Sequence, residues 1–413
     1  MSAVLFFGER RTVTMKVFLR AAALICVTAL FMALIPAGAE EAAARDFRED
    51  CKYTTSGGKF KVSRLYDGKY NTTWKSYQQR HPFIEVRAPH GEKICGVYIC
   101  FGENVYPWEI LDGRGDTVYT SDALYAHQYV PVDGADEITL RLTEDRQRVL
   151  DVSEIHIFTA GALPDYVQQW EPTLEKADLM VLVAHPDDEI LFFGGAIPWY
   201  ASEKGMDVIV ATMTCGTYER RSELLDGLWY AGIRNYPVLG DFWDKYSKKL
   251  ETAYKNWGKS KVDRYLVTLF RTYRPEVVLT HDVNGEYGHG AHKICADASL
   301  RCFDRAADPA YYANAGEPWQ IKKLYIHLYK EDKIEMDWDQ PLETFGGMTG
   351  FEVAEEMYRH HISQQDKGQK VDGKFVLFEV EPRDSKYSCY RFGLAKSVVG
   401  KDVKKNDFFE NVP

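Results

Sequence analysis

The run His185-Pro186-Asp187-Asp188-Glu189 sets an imidazole beside three carboxylates, directly after the apolar stretch Val181-Leu182-Val183-Ala184. An imidazole and adjacent carboxylates are a donor set for a divalent cation with a base next to it. The same residues have a plainer use. Proline followed by acids is a common helix start, the acids answering the positive end of the helix dipole. A helix start has no need of the histidine before the proline, and a second cluster weighs further against capping alone. Of eleven histidines, three fall in His281-Asp282-Val283-Asn284-Gly285-Glu286-Tyr287-Gly288-His289-Gly290-Ala291-His292. His185, Asp188 and His292 together would give a two-histidine, one-carboxylate Zn²⁺ site with a position open for water, the pattern of catalytic zinc. No HExxH, GxSxG or P-loop is present, so zincin, serine-hydrolase and nucleotide-hydrolysis chemistry lack support.

Groups so far apart in sequence must be brought together by strands that end at one edge. From about residue 177 the pattern alternates. Strands are predicted at 179–184, 208–214, 276–280 and 324–329, and helices at 190–204, 221–233, 262–273 and 292–306. Such alternation implies an α/β domain with a parallel sheet and helices on both faces. Each histidine cluster follows a predicted strand and precedes a predicted helix, so both open at the same sheet edge, where ligands bind in such folds. Residues 48–160 have another texture. Short β segments at 93–101, 108–112, 117–120, 137–142 and 154–159 are divided by Asp67-Gly68, Asp112-Gly113 and Asp133-Gly134, the pattern of an all-β sandwich. Residues 161–176, with Pro164 and Pro172, read as a linker, and 177–413 as the second domain.

The second domain resembles the PIG-L/LmbE family of zinc-dependent N-acetylglucosaminyl deacetylases. The likeness rests on Ala184-His185-Pro186-Asp187-Asp188-Glu189 and on Tyr287-Gly288-His289-x-x-His292. Arg220-Arg221-Ser222-Glu223 and His361-Ile362-Ser363-Gln364 add weaker support, and the match covers about 177–365. It implies a Rossmann-like fold with Zn²⁺ held by His185, Asp188 and His292. It further implies Asp187 as general base, Tyr287 as a stabiliser of the oxyanion, and His289 beside the leaving amine. A protonated Asp187 or His289 would then return a proton to the sugar amine, giving acetate and a free amino sugar. The sequence departs from the family at His289-Gly290-Ala291-His292, where His-Pro-Asp-His is common. The missing carboxylate could orient an imidazole, a task left to Asp282 or Glu286. Arg220 or Arg221, and Asp244, are candidates for holding substrate hydroxyls, against a solvated helix face and a loop acid. His361 carries the same alternatives, and His327 reads as a satisfied core histidine.

The first domain is similar to discoidin (F5/8 type C) domains. The likeness lies in Leu65-Tyr66-Asp67-Gly68-Lys69-Tyr70-Asn71-Thr72-Thr73-Trp74 and in the closing stretch Leu150-Asp151-Val152-Ser153-Glu154-Ile155-His156-Ile157-Phe158. It implies a jelly-roll sandwich able to take a carbohydrate ligand on exposed aromatic rings. Trp74 belongs to the fold pattern. Tyr106, Trp108 and Tyr125 are the candidate contacts, against a module that only packs on the enzyme.

Composition bounds these readings. The chain has 413 residues, 45% hydrophobic and 27% charged, which is globular and long enough for two or three domains. A net charge of −10 argues against nucleic acid bound by bulk charge. Residues 1–39 carry Arg10, Arg11, Lys16 and Arg20, an apolar run at 21–35 and the exit Pro36-Ala37-Gly38-Ala39, the plan of a secretory signal peptide. Met15 offers a more compact start. A retained anchor is the rival, but the run falls short of the about 20 residues a span needs. Removing 1–39 leaves an acidic, secreted protein with no membrane span and a net charge of −13. Seven cysteines then remain, an odd number. Cys295 and Cys302 lie about 10 Å apart on one predicted helix, and Cys95 and Cys100 face opposite ways on one strand. Neither pair can bridge, although Cys51 could meet Cys95 or Cys100. The 26 Tyr and 9 Trp suit sugar contact. The competing functions are an amidase acting on a non-sugar amide and an adhesion protein with an inert enzyme domain.

Overall fold

The computed structural model describes residues 42–371 and 374–413, and the leader expected at 1–39 lies outside them. Two compact units are present. In the small one, Ala43 bridges Ala162 and the Ala44 amide donates to the Ala162 carbonyl at 2.8 Å. The large one holds 45–160 and 164–413.

Its first part contains nine strands: β1 (Lys52–Thr55), β2 (Trp74–Lys75), β3 (Phe83–Arg87), β4 (Ile94–Phe101), β5 (Trp108–Asp112), β6 (Thr117–Thr120), β7 (His127–Ala135), β8 (Glu137–Leu142) and β9 (Asp151–Phe158). They form a four-stranded sheet, β2-β9-β4-β7, and a five-stranded sheet, β1-β3-β8-β5-β6, both antiparallel. Alternation sorts the faces, as strand geometry requires. Ile138, Leu140 and Leu142 of β8 point inward with Ile84 and Val86 of β3, against Val97, Ile99 and Phe101 of β4. Trp74 is buried among them. Asp133-Gly134 is not the reversal its letters suggest. It lies inside β7, where the pairing with β4 slips between Pro131 and Ala135 and Gly134 takes φ +65°. This is a bulge, which turn-prone residues also serve.

The candidate sugar-binding aromatics are engaged elsewhere. Trp108 is fully buried in the sandwich core. Tyr125 stacks on Tyr236 with centroids 4.5 Å apart, and the Arg148 guanidinium lies 4.4 Å from the Tyr106 ring centroid.

The second part begins with β10 (Leu179–Val183), α1 (Asp188–Leu191), β11 (Val208–Thr212), α2 (Tyr218–Tyr230), β12 (Val238–Leu239), α3 (Leu250–Trp257) and α4 (Lys259–Tyr273). It continues through β13 (Val277–Thr280), α5 (Gly290–Ala307), β14 (Lys323–His327), β15 (Lys333–Glu335), α6 (Gly350–Arg359) and α7 (Ile362–Gln365). A hairpin of β16 (Gly368–Val371) and β17 (Lys374–Leu377) and a last strand, β18 (Arg391–Ser397), complete it. The sheet order is β12-β11-β10-β13-β14-β18-β15. The first five strands pair in parallel, and β18 then runs antiparallel to both β14 and β15. The sheet is therefore mixed rather than wholly parallel. Leu179, Val181 and Val183 face one apolar core while Met180 and Leu182 face the other, so β10 is apolar at every position.

The chain order reverses between β10 and β13, which lie side by side. Such a switch point leaves a crevice beyond the strands' carboxyl ends. Leu182 pairs with Thr280 in the parallel register, so the turns that carry His185 and His281 leave the sheet at the same edge. The helix expected at 190–204 is broken. After α1 the chain turns through Gly194, at φ +49°, before a π-helical segment at Pro198–Glu203. A Cβ on Gly194 would meet the side chain of Cys389, and Gly195 packs directly against Gly350 at the start of α6.

Helix α2 packs on the sandwich. Arg221 Nη2 donates to the Phe101 carbonyl at 2.9 Å, Tyr218 to the Asn71 carbonyl at 3.1 Å, and Tyr70 to Asp226 Oδ1 at 3.2 Å. Among the described residues all seven cysteines are free, and no helix is long and apolar enough to cross a membrane.

Candidate active site

A cavity of about 350 Å³ opens at the switch point. All eight residues singled out from sequence line it: His185, Asp187, Asp188, Arg220, Asp244, Tyr287, His289 and His292. The turn after β10 and the start of α1 deliver the first three, the start of α2 Arg220, the loop after β12 Asp244, the turn before α5 Tyr287 and His289, and the first turn of α5 His292.

The capping reading of Asp187 fails on geometry. Asp187 occupies the N-cap position of α1, yet its side chain makes no capping hydrogen bond. Its Oδ1 instead accepts from Arg220 Nη2 at 2.7 Å, and the same nitrogen donates to the Pro186 carbonyl. The backbone holds φ +106° there, a region that costs free energy for a residue with a Cβ and persists where the surroundings enforce it. Tyr287 is also held at positive φ, +56°. Burial raises the Asp187 carboxyl to about 6, against the pull of Arg220 and with the charge of Asp188 adding to the rise.

Three donor groups form a tight triangle, with the two imidazoles approaching different oxygens of one carboxylate. His185 Nδ1 lies 3.0 Å from Asp188 Oδ2, His292 Nε2 lies 3.3 Å from Asp188 Oδ1, and the two imidazole nitrogens are 3.4 Å apart. A four-coordinate ion with bonds of about 2.0–2.1 Å needs its ligands about 3.3 Å apart, and these donor separations fall in that range. The outer nitrogens of both rings meet carboxylates: His185 Nε2 faces Asp244 at 3.4 Å and His292 Nδ1 faces Glu286 at 2.9 Å. That arrangement turns the inner nitrogens' lone pairs toward the triangle, as carboxylates behind metal-binding histidines do. Burial pushes the Asp188 carboxyl up, but His292, His185 and His281 outweigh it and hold it well below the usual range. The site fits a divalent metal.

His281 also lies close enough to Asp188 and His292 to join a donor set. Its Nε2, however, accepts the Ala184 amide at 3.0 Å, and its Nδ1 faces Glu286 at 2.8 Å. Both nitrogens are spent. Glu286 is the hub here, fully buried, with its two oxygens on His281, His292 and, at 2.5 Å, His327. His327 completes its bonding with the Ser388 carbonyl at 3.0 Å, as a satisfied core histidine does. Glu286 therefore does not orient His289, and Asp282 does not either, since its Oδ1 accepts the Asn284 amide at 3.1 Å. His289 Nδ1 takes the Ala291 amide at 3.3 Å, an N-cap bond to α5. Burial, with His292 and His185 adding to it, keeps the His289 ring neutral.

The choice between the two arginines is resolved. Arg220 faces the cavity, with a buried Nε that has no protein partner, while Arg221 serves the sandwich loop. Tyr287 donates to Glu381, a residue that no local motif marked. His361 is fully buried with Nε2 3.4 Å from Glu189 Oε1, and Glu189 Oε2 in turn accepts the Asp187 amide at 2.9 Å. It stands behind Asp187 rather than in the cavity. The lining residues that the sequence did not disclose include Tyr246, Gln364 and Phe378. Gln364 sits in the His361-Ile362-Ser363-Gln364 run that had pointed only to His361.

Gly290 accounts for part of the departure at 289–292. Its amide donates to the Ser247 carbonyl at 2.7 Å, and a Cβ there would collide with Ser247. Glycine lets the loop after β12 close on α5, which brings Asp244 and Tyr246 to the cavity.

Residues 180–303 match the family model PIG-L, GlcNAc-PI de-N-acetylase. That span contains all eight lining residues named from sequence. A 1D-myo-inositol 2-acetamido-2-deoxy-alpha-D-glucopyranoside deacetylase 1 from Frankia alni is 30% identical over 186 residues, 38% of this chain and 64% of that protein. A deacetylase of the same description from Rhodococcus erythropolis is 34% identical over 192 residues, 40% of this chain and 65% of that one. The chain thus spans just under two thirds of these relatives. Among solved structures, N,N'-diacetylchitobiose deacetylase from Pyrococcus horikoshii aligns with TM-score 0.36 and 18% identity, covering 46% of this chain and 71% of that one. The family 32 CBM from C. perfringens NanJ aligns with TM-score 0.25 and 14% identity, over 28% of this chain and 98% of that one.

Proposed function

We propose that the protein is an exported, metal-dependent deacetylase that removes the N-acetyl group from N-acetylglucosamine-type sugars and releases acetate. The observation that carries the reading is the donor triangle of His185, Asp188 and His292 beside an Asp187 whose side chain leaves its capping position for the cavity. The family match over 180–303 and the deacetylase relatives support it. Export is supported by the basic, apolar and small-residue order of 1–39.

Two imidazole nitrogens and one carboxylate suit Zn²⁺, which when bound supplies Lewis acidity and lowers the pKa of a water toward about 7. Asp187 takes the proton of the water that attacks the acetamide carbonyl, with Arg220 fixing its carboxylate through the 2.7 Å bond. The same carboxyl, now protonated, delivers the proton to the departing amine. With its Nδ1 lone pair taken by the Ala291 amide, neutral His289 carries its proton on Nε2 and serves as a hydrogen-bond donor rather than as an acid. Tyr287 reaches a developing oxyanion only by leaving Glu381, so its contribution depends on substrate binding. The partnerless Arg220 Nε and the half-exposed Asp244 are placed to meet sugar hydroxyls.

Acetate release from a panel of N-acetylated mono- and oligosaccharides, before and after chelation, tests the reading. Release that is lost on chelation and restored by Zn²⁺ is expected. Release that survives complete metal removal would overturn it.

A further inference from the structure

The cavity is small, about 350 Å³, near the low end for ligand pockets, so it encloses little more than one sugar. The rest of any chain must lie outside. The loop after β12 shows where. Trp243 is 81% exposed, the most exposed aromatic side chain among the described residues, and it directly precedes the lining residue Asp244. Tyr246 lines the cavity, is 57% exposed and sets its ring 5.0 Å from that of His289.

The loop that carries them is not slack. The Gly240 amide donates to the Thr212 carbonyl at 2.8 Å, Trp257 Nε1 to the Trp243 carbonyl at 2.9 Å, and Lys293 Nζ to the Lys248 carbonyl at 2.7 Å. With the Gly290 amide on Ser247, the backbone is fixed along its length. Phe242 next door is buried against Trp257, so the fold has used the apolar residue it needed and left Trp243 outside. Aromatic faces beside a sugar cavity present the flat apolar surface that C–H faces of a pyranose pack on.

We propose that Trp243 and Tyr246 form a subsite for the sugar units that follow the one in the cavity, which makes the substrate an oligosaccharide chain rather than a monosaccharide. This rests on the deacetylase reading for what occupies the cavity, but not for the subsite's ability to bind.

The test uses N-acetylglucosamine and its β-1,4- and β-1,6-linked trimers as probes with the full chain. In calorimetry at saturating Zn²⁺, Trp243→Ala is expected to weaken the binding of at least one trimer about tenfold, ~1.4 kcal/mol. Trp243→Phe is expected to retain most of it. In acetate release, KM for the same trimer should rise about tenfold more than KM for the monosaccharide, while kcat for the trimer changes less than twofold. Trimer binding that depends on Trp243 with no acetate released from any sugar would overturn the deacetylase reading and leave the subsite standing. Equal effects of Trp243→Ala on monosaccharide and trimers would overturn the subsite. So would a change confined to self-association in sedimentation, which would make the ring a contact between copies.

Discussion

Glu286 is the residue on which the geometry of the candidate metal site turns. It is fully buried and accepts from three imidazoles, one of which, His292, belongs to the donor triangle. Burial alone would raise its carboxyl, but His281 and the hydrogen bonds of His281, His292 and His327 hold it well below the usual range. Removing its charge leaves His292 free to rotate and one imidazole without an acceptor. Glu286→Gln is therefore expected to weaken Zn²⁺ binding roughly 10–100-fold, read by competition with a chelating dye; an unchanged affinity would show that the hub is only structural. The sequence disclosed the triangle because its members stand in two short runs, with two residues between His185 and Asp188 and His292 at the head of the helix that follows β13. It could not disclose Glu286 as a hub, because His327 joins it from another strand. Glu381 was hidden for the same reason: its partner Tyr287 lies 94 residues away.

At the scale of elements, α2 does two jobs with opposite faces. Arg220 looks into the cavity while Arg221, Tyr218 and Asp226 hold the sandwich. Asp226 is the sensitive point of that packing. Burial raises its carboxyl to about 7, only partly offset by the hydrogen bonds of Tyr70 and of Gln168 at 2.6 Å, while nearby Glu223 adds to the rise. His127 faces it at 3.7 Å but is itself pushed down to about 3 by burial, with Arg221 adding, so it brings no compensating charge. A carboxyl whose folded pKa exceeds its unfolded value binds more protons when folded. Its stabilisation is thus fully present below about 4 and is lost as pH rises through about 7. Between pH 6 and pH 8 the wild-type Tm should fall, and Asp226→Asn should flatten that slope by roughly 2–4 °C; an identical slope in the variant would contradict the assignment. The alternation of strands and helices was legible, because β10 is apolar at every position and β11 and β13 are so up to their closing Thr212 and Thr280. The break in the helix expected at 190–204 was marked by Gly194-Gly195 and Pro198, but its cause is tertiary. Cys389 and Gly350 pack so closely on Gly194 and Gly195 that a side chain at either position would press on them. The bulge at Asp133-Gly134 misled in the other direction, since turn residues serve bulges and reversals alike.

For the whole molecule, the strand order places two distant runs at one switch point, and the sandwich buttresses the helix that carries Arg220. We propose that this geometry makes Asp187 the proton carrier of an amide hydrolysis. The direct measurement is acetate released from an N-acetylglucosamine trimer by wild type and Asp187→Asn, with bound Zn²⁺ quantified in the same samples. The account predicts a fall of about 10²–10⁴-fold in kcat with the Zn²⁺ content of the variant matching that of wild type. Acetate release by Asp187→Asn within a few-fold of wild type, at equal metal content, would contradict it.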